Sequence, residues 1–224
     1  MRRVRVRLGV WIGLLLVATV AFATVAWPRD GGNPFRSYAD APLVAGEGLG
    51  DLRLGATELG AFVTRYGVGR PAAVYGDDTA LEFAFPRPGL TFTFATEGAC
   101  ARVVQGMAGT GLRALRSPRD FVRDHPDCVA APLASIAVDA ARTARGSFWR
   151  GATPSGVRLQ QGRDEALGRL GVDAQDVDDD APAPDRWFDT DGLLVTFGPA
   201  ADTDTDAEAR PSWVVSRLEV VPRR

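Results

Sequence analysis

Two stretches of this chain, about 105 residues apart, carry one pattern, and that repetition limits the fold more than any other feature. The first runs LRLGATELGAFVTRYG from Leu52 to Gly67. Leu52 and Leu54 alternate as in a short strand, Thr57 is placed to cap a helix, and Gly67 is placed to end it. Between them Leu59, Phe62, Val63 and Tyr66 fall at i, i+3, i+4 and i+7, one apolar stripe. Leu81, Phe83 and Phe85 then alternate, as do Leu90, Phe92 and Phe94, around a Pro86-Arg87-Pro88-Gly89 turn. A third strand is expected from Cys100, over CARVVQGM.

The second stretch, VRLQQGRDEALGRLG, spans Val157 to Gly171. Val157 and Leu159 alternate, Ala166, Leu167 and Leu170 form a weaker stripe, and Gly171 closes the helix. Trp187-Phe188, an Asp189-to-Gly192 turn, LLVTF from Leu193 and WVVSRLEVV from Trp213 follow as strands. The steps are 105 from Leu52 to Val157, 104 from Gly67 to Gly171 and 103 from Gly89 to Gly192. Any α+β chain yields helix-then-hairpin readings, but near-constant steps through a helix, a turn and a strand favour a duplication. The expected fold class is therefore α+β, with two related helix-on-antiparallel-sheet units after an amino-terminal hydrophobic segment. The boundaries are 1-28 for that segment, 29-50 for a Gly- and Pro-rich linker, 51-107 for the first unit, 108-150 for a connection and 151-224 for the second unit. Within the connection, Ser117-Pro118-Arg119-Asp120 reads as a helix start, and an Ala-rich stretch from Leu133 to Arg145 as a further helix.

MRRVRVR at the amino terminus precedes twenty uncharged residues, Leu8 to Trp27. A helix of that length spans about 30 Å, the hydrocarbon thickness of a bilayer. Four arginines before the span, against Arg29 just after it, hold the amino terminus in the cytoplasm and place the body outside. Ala21-Phe22-Ala23 is a site a signal peptidase could cut, which would release a secreted chain. The length of the apolar run and the tryptophans Trp11 and Trp27 near its ends favour an uncleaved anchor.

Outside the cytoplasm a cysteine pair forms a disulfide by default, and Cys100 and Cys128 are the two this chain has. Closing a loop of that length stabilises a fold by about 3–4 kcal/mol in the chain-entropy model, where geometry permits; two unpaired thiols are the other possibility. Net charge is -2, and four of the arginines precede the apolar segment, so the rest carries -6. That balance speaks against nucleic acid as a partner and against adhesion to anionic lipid. All 26 basic residues are Arg, which a GC-rich coding bias explains without appeal to function.

Candidate chemistry is thin. Asp120, Asp124, His125, Asp127 and Cys128 include metal-ligating types, but one histidine with scattered aspartates fits no zinc spacing. A solvated acidic loop explains them better. Asp202, Asp204 and Asp206 sit at positions 1, 3 and 5 of a calcium-loop pattern, yet Ala207 stands where the turn glycine belongs and Trp213 where the glutamate belongs. Asp176 and Asp178 to Asp180 form a second acidic patch. No nucleophile elbow, zincin motif or phosphate loop is present. Trp149, Phe148, Trp187 and Trp213 lie in or near the second half as core or interface residues. The sequence thus assigns no catalytic, cofactor-binding or metal residue.

The recurring apolar pair, Gly, capping residue and short helix resembles the BamE-like (SmpA/OmlA) small-domain family. In the first half this is Leu52, Leu54, Gly55, Thr57, Tyr66-Gly67 and Arg70-Pro71; in the second, Val157, Leu159 and Leu170-Gly171. A tandem pair of such units is also similar to the β-lactamase inhibitor protein family. The likeness covers about 130 residues on short motifs, and departs from the pattern in lacking a lipid-accepting cysteine and in Gln160, which replaces Gly. It implies protein binding without catalysis. The expectation is a membrane-anchored extracytoplasmic binding or scaffolding module without cofactors, whose partner is another envelope protein. A secreted inhibitor of a hydrolase is the alternative, and a carboxylate- or calcium-dependent enzyme the third reading.

Overall fold

The computed structural model describes residues 35–66, 72–76, 80–85, 88–108, 115–116, 118–140, 149–172, 186–188, 191–200 and 213–223. The apolar segment 8–27 and the acidic stretches around Asp178 and Asp204 lie outside them. Among the described residues no helix is long and apolar enough to cross a membrane.

Folding begins earlier than the composition suggests. The expected linker 29-50 is structured from Phe35 on, because Phe35, Tyr38, Leu43 and Leu49 are all buried. A 3-10 turn over Arg36–Tyr38 leads into β1 (Leu43–Val44), β2 (Gly48–Leu49) and β3 (Leu52–Arg53), a small antiparallel sheet. Helix α1 (Leu59–Tyr66) follows, its Leu59, Phe62, Val63 and Tyr66 buried as the stripe predicts. Thr57 does not cap it. Its hydroxyl accepts from the Arg53 N–H, and the first helical amides, Leu59 and Gly60, donate to the Ala131 and Val129 carbonyls. A carbonyl from a distant segment satisfies those donors as well as a side chain would.

The main sheet has eight antiparallel strands in the order β7-β4-β5-β6-β8-β11-β10-β9. They are β4 (Ala72–Gly76), β5 (Ala80–Phe85), β6 (Leu90–Ala95), β7 (Leu115–Arg116), β8 (Leu133–Asp139), β9 (Arg186–Phe188), β10 (Leu193–Pro199) and β11 (Trp213–Val220). The helices are α2 (Gly98–Ala108), α3 (Pro118–Asp124) and α4 (Arg163–Leu170), the last closed by Gly171 in the left-handed region. The molecule is α+β, with two antiparallel sheets and four α-helices among the described residues. The inward residues of β5, β6, β8, β10 and β11 join one core, in which Phe62 of α1 lies 4.8 Å from Phe92. Residues Phe35–Arg224 form one compact unit.

Two expected elements change type. The strand from Cys100 is helix α2: Cys100 and Val104 are buried one helical turn apart, a 3.6-residue period that the adjacent valines conceal. The helix from Leu133 is instead, through Asp139, the strand β8, which sits between β6 and β11. Its alanines read as helix formers, but Ala137 is fully buried mid-sheet, and Ile136 and Val138 supply the β-branched character of a central strand. The connection 108-150 therefore holds a central strand, and the segments on either side of it share one sheet.

Backbone details recur along that sheet. In the β6–β8 pair Leu90 faces Val138, Phe92 faces Ile136 and Phe94 faces Leu133, with a register shift between Thr93 and Phe94. In the β10–β11 pair Leu193 faces Val220, Val195 faces Leu218 and Phe197 faces Val215, with the shift between Thr196 and Phe197. Each contact maps onto its counterpart by a step of 103 on one strand and 82 on the other. The Asp139 N–H donates to the Gly89 carbonyl, and the Val221 N–H to that of Gly192. Gly55 donates to the Leu133 carbonyl, and Gln160 to that of Val215. Gly55 has φ +72° and Gln160 φ +62°; among the described residues Gln160 alone takes positive φ without being glycine. Such a conformation strains a residue with a Cβ, so the backbone path is held here despite the side chain.

Candidate binding cavity

Two places in the fold gather polar groups around aromatic or apolar walls. At the carboxy-terminal end of α1, the Tyr38 hydroxyl bonds to both the Asp51 carboxylate and the Tyr66 hydroxyl, and Arg65 pairs with Asp51. The Arg65 guanidinium lies 5.1 Å over the Tyr66 ring, and Phe35 stacks on Tyr66 at 5.2 Å. Burial, then the bond to Asp51, pushes the Tyr38 phenol well above its ordinary value of 10.0. The bond from Tyr38, helped by Arg65, holds Asp51 below the usual carboxylate value. Every group here has a partner, so the cluster pins the amino-terminal segment to α1.

The second place is a cavity of about 310 Å³ between α4 and the β9–β10 hairpin. Leu170, Trp187, Leu193 and Val44 form its apolar wall, and Arg169, Arg223, Asp191, Thr153 and Ser155 its polar side. Arg169 donates to Glu165 one helical turn earlier, at 3.0 Å. Arg223 is exposed and forms no ion pair with any described residue. The space is a recess open to solvent, with an aromatic wall on one side and polar groups on the other.

On the sheet surface, Arg217 of β11 reaches both Asp139 oxygens across the strand pair at 3.2 Å and Glu219 at 3.2 Å. Burial works against the Arg217 charge, but the two carboxylates hold its pKa above the ordinary arginine value. With all three charges satisfied, this triad ties β8 to β11.

The residues singled out from sequence scatter. Cys100 and Cys128 are joined in a disulfide with Cα atoms 4.8 Å apart, tying α2 to the 3-10 turn Pro126–Cys128. Asp120 and Asp124 pair with Arg123, and the His125 ring packs on Phe121 at 4.8 Å. Among the described residues no three His, Cys, Asp or Glu side chains gather as metal ligands. Trp149 is buried and donates to the Ala41 carbonyl, Trp213 is 39% exposed at the start of β11, and Phe148 lies outside the described residues. Only Trp187 reaches the cavity. Sequence reasoning missed Arg169 and Arg223, which are 54 positions apart and ordinary in a chain whose only basic side chains are arginines.

Comparison with known proteins finds no matching family model, no similar curated protein and no similar solved structure.

Proposed function

We propose that this chain is a membrane-anchored extracytoplasmic module of the cell envelope that binds another protein, without catalysis, and that its body is a duplicated unit. The location rests on the arginine-flanked apolar segment Leu8 to Trp27. The duplication rests on the shared strand register, shared register shift and shared positive φ at Gly55 and Gln160. The tandem resemblance to the BamE-like and β-lactamase inhibitor protein families points the same way.

The observation that carries the binding reading is the unequal treatment of one position in the two halves. Beside α1, the fold packs Phe35 and Tyr38; beside α4, a cavity lined by Arg169, Arg223 and Trp187 opens. A surface that offers an aromatic wall and a guanidinium, that of Arg223, with no ion pair to any described residue has the chemistry of an interface anchor site. The alternative, a secreted inhibitor of a hydrolase, is favoured by Ala21-Phe22-Ala23 and uses the same cavity.

Crosslinking of the tagged full-length chain in its native cells, followed by mass spectrometry, tests the reading. Residues 1–28 fused to an unrelated domain are the control. An envelope protein captured by the chain and absent from the control is expected; capture no different from the control overturns the proposal. A mature amino terminus at Thr24 would shift the reading to the secreted form.

A further inference from the structure

We infer that the cavity beside α4 receives an aromatic side chain and an adjacent carboxylate from a polypeptide segment of another protein; this rests on the binding reading above. The reasoning starts from what fills the corresponding place in the first half. Tyr38 lies between Tyr66 and the backbone at Gly50, where an added Cβ would come within 2.9 Å of the tyrosine ring. Asp51 and Arg65 complete its surroundings.

The step of 105 that relates Leu52 to Val157 carries Gly50 to Ser155 and Asp51 to Gly156. The step of 104 that relates Gly67 to Gly171 carries Arg65 to Arg169 and Tyr66 to Leu170. Ser155, Arg169 and Leu170 all line the cavity. Gly156 adjoins it, since a Cβ there would stand 2.6 Å from Nη1 of Arg169. The cavity is thus the counterpart of the Tyr38 slot, bounded by equivalent backbone and by an arginine at the equivalent helical position.

The differences define what fits. Where the first half supplies Asp51 to its arginine, the second has Gly156, which brings no carboxylate, and Arg169 turns to Glu165 on its own helix. Arg223 adds a second guanidinium, and Asp191 is the cavity's own acid. Trp187 and Leu170 replace aromatic and apolar walls of the first slot, a surface on which a ring packs edge-on or offset. A partner residue pair of carboxylate and aromatic ring supplies the two groups, an acid at the place of Asp51 and a ring at that of Tyr38, that no described residue brings to the equivalent places here. The acid faces Arg223 with a charge-assisted bond.

Calorimetric titration of the full-length chain in detergent micelles with three blocked peptides tests this. Acetyl-Asp-Tyr-Gly-amide carries both groups, acetyl-Asn-Tyr-Gly-amide lacks the charge, and acetyl-Asp-Ala-Gly-amide lacks the ring. The first is expected to bind about tenfold tighter than either control. Arg223→Gln removes that advantage over the asparagine peptide, and Ala45→Phe, which fills the cavity, abolishes binding of all three. Arg150→Gln, an exposed arginine paired with Asp40 away from the cavity, leaves affinity unchanged. Far-UV circular dichroism checks each variant; if Ala45→Phe misfolds, Arg223→Gln at an exposed position decides alone. No heat at millimolar Asp-Tyr peptide, equal affinity for the three, or unchanged affinity in Arg223→Gln overturns the inference. If crosslinking still captures an envelope partner, the binding reading stands and only this assignment falls.

Discussion

The ends of α1 and α4 occupy related positions in the sheet and do opposite things. At α1 the chain uses its own residues: Phe35 lies against Phe62, Tyr66, Phe85 and Phe92, and Tyr38 joins Asp51 and Tyr66. At α4 the described residues leave a cavity in the equivalent place, where Arg169 on its wall pairs with Glu165 of its own helix. The β6–β8 and β10–β11 pairs share their register and several backbone hydrogen bonds, so the difference between the two places lies in their side chains. The slot beside α1 is closed by the residues that precede it, Phe35 and Tyr38, and among the described residues no ring takes that place beside α4.

The sharpest break in that comparison is Phe35→Ala. Removing a fully buried ring that touches four aromatic neighbours costs about 3–5 kcal/mol, read as a fall in the denaturation midpoint. Trp187→Ala, at the half-buried wall of the open cavity, costs less than half as much. Equal losses would mean that the second slot is as structural as the first.

Next in size is the disulfide, which belongs to the first half only. Replacing Cys100 and Cys128 together by Ala costs about 2–5 kcal/mol, because α2 and the turn after α3 lose their link. Urea melts with and without reductant should reproduce the same loss in the native chain and none in the double variant.

Tyr38→Phe removes the hydroxyl shared by Asp51 and Tyr66 and costs about 1–2 kcal/mol at neutral pH. The pH profile identifies the cause. Asp51 is held below its unfolded value, so its contribution is present above about pH 4 and fades as pH falls through the folded value. Tyr38 is held above 10.0, so its contribution is complete below that pH and fades as pH rises beyond it. The native chain should therefore lose stability at both ends, and Tyr38→Phe should flatten both limbs. An unchanged profile in the variant would assign the limbs to other groups.

The smallest effects are paired and opposite in sign. Gln160→Gly relieves a left-handed residue and raises stability by about 1 kcal/mol; Gly55→Gln installs the same strain and lowers it by a similar amount. Nothing lies within 4 Å of a Cβ at Gly55, so conformation alone is tested there. Unequal magnitudes would show that the two backbones are held with different firmness.

How much was legible beforehand differs by element. The α1 stripe and the β5–β6 alternation were plain because each has a period that one face of one element imposes. Helix α2 reads as a strand because its valine pair suits one, and β8 reads as a helix because alanine suits one; burial on both faces overrides that propensity in β8, whereas α2 buries one face, through Cys100 and Val104. Glycines and prolines give the segment after Pro34 the composition of a linker. Its aromatics, Phe35 and Tyr38, are the fragments of core that composition averages away. Arg169 and Arg223 had no signal, since a cavity formed by a helix end, a hairpin and the last strand's exit leaves no local pattern.

Sequence by itself determined the class of fold, the repetition of a helix and hairpin at a near-constant step, and the charged, apolar amino terminus, since these depend on periodicity and composition along one stretch of chain. Tertiary structure alone decided that both helix-and-hairpin stretches share one eight-stranded sheet, that β8 lies between β6 and β11, and that Phe35 and Tyr38 pack beside α1 while the described residues leave a cavity beside α4. Those outcomes turn on which distant segments meet, and the free energy of burying one aromatic ring in a particular gap appears only once the walls of that gap have come together.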